Sequence, residues 1–327
     1  MKPKISFVTP MKERDFRVLA LLKSIRNQNY PQNRIEIIIT DGGSNPSVLD
    51  ACKKYHVRIY ENPKGFAEGA GMGKDQGIWH STGKYVVIAE SDTEYMSLDW
   101  INSMIKPLEE DDSIFASAPR LYIHPKDSLT NRYLSYIGVD PFAFYRALDA
   151  QLILNKKTKK ILHKNYIILE LDPQRPYCMG SNGFMFRREL TKKVGDYAQD
   201  IEFIARLAKH GHDKFAYVSQ APVWHKNVKG LYDFLNKRVR WTRNYAHIYI
   251  HEKKEYNWIT DRQEFFRYIL ANLLIAPNIP VSIKKAVEYR DTAWLLHAPL
   301  LFFSTLLNVY SSLHSRKMFT QVFTSPS

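Results

Sequence analysis

The sequence predicts an α/β fold with a mostly parallel central sheet flanked by helices. Three observations predict it. Short apolar, β-branched runs alternate with segments of helical periodicity through the first hundred residues, and the connections between the runs are too long for hairpins. The second run, Ile35-Glu-Ile-Ile-Ile39, is apolar enough for a strand buried on both faces. Right-handed crossovers follow from that alternation.

The elements can be taken in order. Ile5 to Thr9 reads as a strand and Pro10 to Arg14 as a polar turn. Val18, Leu21, Leu22 and Ile25 repeat at i, i+3, i+4 and i+7, the spacing of one helix face. The strand at 35–39 runs into Asp41-Gly-Gly-Ser-Asn-Pro46, a loop composition. A helix over Val48 to Tyr55, a strand over Val57 to Tyr60, a glycine-rich loop, a helix to about Ser81 and the strand Tyr85-Val-Val-Ile-Ala89 complete this half.

In an open parallel sheet the ligand crevice lies beyond the carboxyl ends of the strands. Those ends carry Thr9 and Pro10, then Asp41, then Glu61 and Asn62, then Glu90-Ser91-Asp92. Acidic residues also mark ordinary solvated turns, but here they recur at three of four equivalent places. That recurrence suits a metal or a ribose.

Charge and composition narrow the function classes. The 327 residues carry a formal charge of +14, yet residues 1–110 hold 15 Lys/Arg against 14 Asp/Glu, so the excess lies in the remainder. A basic surface attracts nucleic acid, an anionic membrane face or a diphosphate substrate. Cys52 and Cys178 are too few for a zinc cluster and read as two reduced thiols. The amino terminus has no secretory-signal pattern.

Near the carboxyl end, Thr292 to Ser315 holds no charged side chain over 24 residues, which is long enough to cross a bilayer. Pro299, His297 and Asn308 interrupt it, and a second apolar segment, 265–283, contains Pro277 and Pro280. Interfacial or re-entrant helices, a buried core segment and a true span are the three readings. The flanking cations Lys284, Lys285, Arg290, Arg316 and Lys317 suit an anionic lipid surface.

The chemistry-bearing motifs are individually loose. Alternation along an extended Glu90-Ser91-Asp92 would put both carboxylates on one side, able to share a hard cation such as Mg2+ or Mn2+. Gly65 to Gly73 is neither a dinucleotide fingerprint, since it follows the third strand, nor a P-loop. It reads as a permissive loop entering a helix, where free N–H groups and Lys74 could approach a phosphate. Asp200 opens the helical pattern Ile201, Ile204, Ala205 and Leu207, and its local reading is a helix cap or a general base. His225, after Tyr217 to Trp224, reads alone as a packed histidine.

Val8-Thr-Pro10, Asp41-Gly-Gly-Ser44, Gly73-Lys-Asp-Gln-Gly77, Glu90-Ser-Asp92, Met179-Gly-Ser-Asn-Gly183 with Arg187-Arg188, and Ala198-Gln-Asp200 occur in this order. As an ordered set over residues 4–245, this resembles the inverting family 2 glycosyltransferases of the GT-A fold. The resemblance implies a metal-dependent transfer of a sugar from a nucleotide-diphosphate donor. Asp200 would be the base, and Asp92, Glu90 and His225 the metal ligands for Mn2+ or Mg2+. Thr9, Pro10, Glu13, Asp41, Lys74, Asp75, Glu90, Ser91, Arg240 and Trp241 would bind the donor. It also implies a GT-A domain over 1–245, with a nucleotide-binding half at 1–110, an acceptor half at 111–245 and an aromatic insertion at 131–165. A helical, membrane-associating region follows at 246–327.

The departures from the family pattern are Glu90 in place of Asp, Gln199 in place of an acid, and Lys237-Arg-Val-Arg240-Trp241 in place of Gln-x-x-Arg-Trp. The last points to single addition rather than polymerisation. The expected acceptor is a hydroxyl or phosphate of a glycan or polyprenyl-linked molecule at the cytoplasmic face of a membrane, with the enzyme peripheral or monotopic. UDP and GDP sugars both fit Asp41. The competing classes are an inactive relative that binds sugar nucleotide or lipid, and a basic nucleic-acid-binding protein. The dispersed cations and strand-end acids speak against nucleic acid.

Overall fold

A computed structural model describes residues 1–62, 71–148, 160–195, 197, 200–251, 256 and 261–314. The chain divides into two compact units, Met1–Tyr122 with Leu152–His225, and Ile123–Gln151 with Lys226–Ser327. The boundary expected at 245 lies within the helix Leu231–His251.

The strands of the first unit are β1 (Ile5–Met11), β2 (Ile35–Asp41), β3 (Arg58–Glu61), β4 (Tyr85–Ile88), β5 (Thr93–Tyr95), β6 (Ile114–Leu121), β7 (Lys160–Leu162), β8 (Ile167–Glu170), β9 (Met185–Arg187) and β10 (Lys214–His225). Among the described residues they form one sheet ordered β3-β2-β1-β4-β9-β6-β10-β8-β7, with β5 paired to β10. The first four strands are mutually parallel, as the crossover pattern requires, and so are β6 and β10. Short β9 runs antiparallel to both β4 and β6 and joins the two parallel sets.

Helices cover the sheet through apolar stripes. Val18, Leu21, Leu22 and Ile25 of Val18–Arg26 are fully buried, as are Trp100, Ile101, Met104 and Leu108 of Trp100–Glu110. They meet the sheet face that carries Phe7, Ile37, Ile39 and Val87.

Strand limits differ from the sequence reading at the crevice edge. β1 continues through Thr9 and Pro10 to Met11, where it pairs with Asp41, the last residue of β2. Pro10 is tolerated because β4 leaves β1 after the Val8–Ile88 register, so the missing N–H falls where β1 is flanked on one side only. Of the glycine-rich stretch, residues 65–70 lie outside the described residues. Gly73 and Gly77 sit inside the helix Gly71–Trp79. There a Cβ on Gly73 would lie 3.0 Å from Pro10 Cβ, and one on Gly77 only 2.3 Å from Val8 Cγ1. These glycines set a close helix-to-sheet approach, which for Gly73 is a packing role rather than the loop role expected.

The second unit is helical, with Leu129–Ile137, Leu231–His251, Arg262–Leu274, Ile279–Tyr289 and His297–His314 as its main elements. Ser128 caps the first by accepting from Asn131 N–H at 3.2 Å, and Gly138, at φ 80°, ends it. Arg132 grips Asp291 through two bonds, Nε to Oδ2 at 3.0 Å and a terminal nitrogen to Oδ1 at 2.9 Å. Tyr133 and His297 meet through the hydroxyl and Nδ1 at 2.8 Å. Residues 131–148 of the expected insertion belong to this unit, 160–165 to the first, and 149–159 lie outside the described residues.

Candidate active site

Several of the expected residues lie at the carboxyl ends of the parallel strands, most of them held by side-chain or backbone partners. Asp41 closes a tight loop: its Oδ1 accepts Ser44 N–H at 2.9 Å, and its Oδ2 accepts Gly43 N–H at 3.1 Å. Gly43 can take the φ of 103° this needs because it has no Cβ. Ser44 Oγ in turn accepts Glu13 N–H at 2.7 Å, tying the turn after β1 to the loop after β2. Thr9 is fully buried, and its hydroxyl has no hydrogen-bond partner among the described residues. Pro10 backs Gly73.

Glu90-Ser91-Asp92 is not extended. Thr93 donates its N–H at 3.1 Å and its hydroxyl at 2.7 Å to the Glu90 carbonyl, which bends the segment into a turn. Alternation therefore does not apply, and the three side chains diverge. Ser91 Oγ donates to the buried Glu13 carboxylate at 2.5 Å. Asp92 lies 3.2 Å from His225 Nε2, at the end of β10 where Thr93 and His225 are paired. Glu90 reaches Lys74 Nζ at 2.9 Å.

Lys74 is the centre of the arrangement. Its side chain is 2% exposed, and its ammonium lies 2.8 Å from Asp200 Oδ1 as well as 2.9 Å from Glu90 Oε1. Burial alone would push the ammonium down, but the charges of Asp200 and Glu90 outweigh it and hold Lys74 well above its ordinary value. The sequence placed Lys74 on a phosphate; the fold seats it between two carboxylates. Asp75, one residue on in the same helix, is partly exposed.

Asp200 opens the helix Asp200–Lys209, as its apolar spacing predicts. Ala198 and Gln199 before it lie outside the described residues. Two features that the sequence reading missed back this carboxylate. Gly180, at φ 119°, leaves room where a Cβ would sit 3.0 Å from Asp200 Cβ. Tyr197, fully buried, donates its hydroxyl to the Gly180 carbonyl, and burial followed by the Asp200 and Glu90 charges raises its ionisation well above the usual phenol range. Gly180, Asn182 and Gly183 all have positive φ, so Met179-Gly-Ser-Asn-Gly183 is a left-handed turn beside the base candidate.

The donor atoms at Asp92 and His225 fit a divalent cation. A carboxylate oxygen and an imidazole nitrogen 3.2 Å apart match two adjacent corners of an octahedral shell, which are ~3 Å apart at a ligand distance of ~2.1 Å. No group of three His, Cys, Asp or Glu side chains converges among the described residues, so further ligands would come from a bound diphosphate and water. Glu90 is engaged by Lys74.

Arg240 and Trp241 lie on the helix Leu231–His251 of the second unit, and both are exposed. Its buried cation is Arg238, which pairs with Asp140 and stacks over the Trp241 ring at 4.9 Å. Lys237 binds Asn227 Oδ1 at 2.7 Å.

The family described as Glycosyl transferase family 2 matches residues 6–195. A mannosyltransferase from Pyrobaculum calidifontis, solved with GDP-Man and Mn2+, superposes with a TM-score of 0.58 at 14% identity, covering 97% of this chain and 88% of that one. S. aureus TarS 1-349 with UDP-GlcNAc gives 0.48 at 12% identity, covering 97% and 92%. Glucosyl-3-phosphoglycerate synthase from Mycobacterium tuberculosis with phosphoglyceric acid gives 0.44 at 17%, covering 69% and 72%. No curated protein matches the sequence.

Proposed function

We propose that this chain, which belongs to glycosyl transferase family 2, moves one sugar from a nucleotide-diphosphate donor, with inversion, to a hydroxyl or phosphate of a glycan or polyprenyl-linked acceptor at a membrane. It is a glycosyltransferase with the GT-A fold. The observation that carries the finer reading is the meeting of Glu90 and Asp200, 110 positions apart in the chain, on one buried ammonium.

Inversion needs a carboxylate in reach of the acceptor hydroxyl and positive charge near the departing diphosphate. Asp200 keeps 24% of its side chain exposed, so an edge remains for the hydroxyl proton while Lys74 fixes the orientation of the group. Thr9, Pro10, Asp41 and the Glu13–Ser91 bridge line the strand ends where a nucleoside would lie, by the general placement of ligands on parallel sheets. Asp92 and His225 would hold Mn2+ or Mg2+, which when bound would offset diphosphate charge. Arg240 and Trp241 are proposed as donor-binding residues. The Pyrobaculum calidifontis enzyme's GDP-Man supports a nucleotide-sugar donor here. The test is Mn2+-dependent turnover across UDP-, GDP- and dTDP-sugars; no turnover with any of them, together with no donor-induced thermal shift, refutes the reading.

A further inference from the structure

The helices beyond residue 260 bury Leu300 and Leu301 but turn several other branched apolar residues outward while burying small polar ones. Leu270, Leu274, Ile283, Val287, Leu306 and Leu313 point outward, Val287 at 73% exposure. Asn272, Ser304 and Thr305 on the same helices are fully buried, and Ser282 is nearly so. Asn272 and Thr305 bond to each other and Ser282 accepts a backbone N–H, while Ser304 Oγ has no hydrogen-bond partner among the described residues. Asn272 Nδ2 donates to Thr305 Oγ1 at 3.0 Å, Asn278 Nδ2 to Asn272 Oδ1 at 3.1 Å, and Ala298 N–H to Ser282 Oγ at 3.2 Å.

A helix solvated by water turns its polar face outward and its leucines inward. The reverse order, with small polar residues joining helices and branched apolar residues facing out, is what a hydrocarbon solvent selects. Lengths agree with this. Arg262–Leu274 and Ala276–Tyr289 are each too short to cross a bilayer, and they bend by 93° at Ile275, at φ 62°. Thr292–Leu313 is long and apolar enough to cross. Exposed Arg262, Arg267, Lys284 and Arg290 supply cations for anionic headgroups.

We propose that residues 262–313 enter the hydrocarbon of an anionic bilayer, with 262–289 as a re-entrant hairpin, the outward leucines on acyl chains and the Asn272–Thr305 spine sealed within. This names the lipid contact behind the membrane acceptor proposed above and rests on that reading only for its purpose. Bilayer entry stands or falls without the transfer chemistry.

The test uses the full chain with Cys178→Ser, Cys52 left buried, and one added cysteine at Val287 or Leu306 carrying an environment-sensitive dye. The vesicles are phosphatidylcholine and phosphatidylglycerol with brominated acyl chains. Quenching at both positions, and none at a Lys53→Cys control, is expected. Absence of quenching at Val287 and Leu306 overturns the proposal. An Ile283→Lys, Leu306→Lys double variant, altered only at exposed positions, should keep its melting temperature and co-sediment at least tenfold less with the same vesicles; equal co-sedimentation overturns the proposal. Asp200→Asn should lose transfer and retain quenching, which separates failure of the lipid contact from failure of the enzymatic reading.

Discussion

Lys74 and Asp200, 126 positions apart in the chain, meet at 2.8 Å, and the same ammonium holds Glu90 at 2.9 Å. One cation therefore links the turn after β4 to the first turn of the helix Asp200–Lys209. Removing it should be costly. Lys74→Met leaves two mostly buried carboxylates facing each other, and we expect a loss of about 3–5 kcal/mol in thermal or denaturant unfolding. The double variant Lys74→Met, Asp200→Asn should lose less than the sum of its single changes.

Asp200→Asn keeps the size of the side chain and removes its capacity to take a proton. Steady-state transfer assays should show kcat falling by about 10²- to 10⁴-fold, with donor affinity changed far less. A variant as active as the parent would dismiss Asp200 as the base.

Mn2+ binding in the presence of a nucleoside diphosphate, followed by the metal's spin resonance signal, should weaken by about 10- to 100-fold in Asp92→Asn and in His225→Gln. Unchanged affinity in both would dissociate this pair from the cation.

Asp291 reports on acid stability of the second unit. Burial works against its charge, but bonds from Arg132 and Ala293 N–H outweigh that and hold the carboxyl below its ordinary value. A depressed carboxyl contributes stability above its unfolded value of about 3.9, and the contribution is lost as pH falls through the lower folded value. Asp291→Asn should therefore cost about 1–3 kcal/mol at neutral pH and show a flatter decline of melting temperature on acidification.

Cys52 is buried, which pushes its thiol up to about 11. At pH 8 only ~0.1% would be thiolate, so native protein should leave Cys52 unlabelled by iodoacetamide while unfolded protein labels it readily. Fast native labelling at Cys52, located by peptide mapping, would contradict the packing.

Much of the first half was legible because its signals are local. Period 3.6 at Val18 to Ile25 and the β-branched run at Ile35 each report on the faces of their own element. The strand-end rule then singled out Asp41, which is the last residue of β2, and Glu90, which lies in the turn after β4. What escaped was set by distant contacts or by short offsets along an element. Nothing near Lys74 encodes Asp200, and the glycines at 73 and 77 gain meaning only against Val8 and Pro10. Thr93, by bonding back to Glu90, turned an expected alternation into a bend. Along one helix, the two positions from Arg240 back to Arg238 are about 200° of rotation, enough to exchange an exposed guanidinium for a buried one.

The tight seat of Gly77 on Val8 reaches beyond packing. Any side chain there must lift the helix that carries Lys74, so the depth of that charge is inherited from backbone spacing rather than from the lysine itself. Tolerance at position 77 is consequently decided by the bulk of Val8, and shortening Val8 to Ala should restore a Gly77→Ala protein that Gly77→Ala alone unsettles.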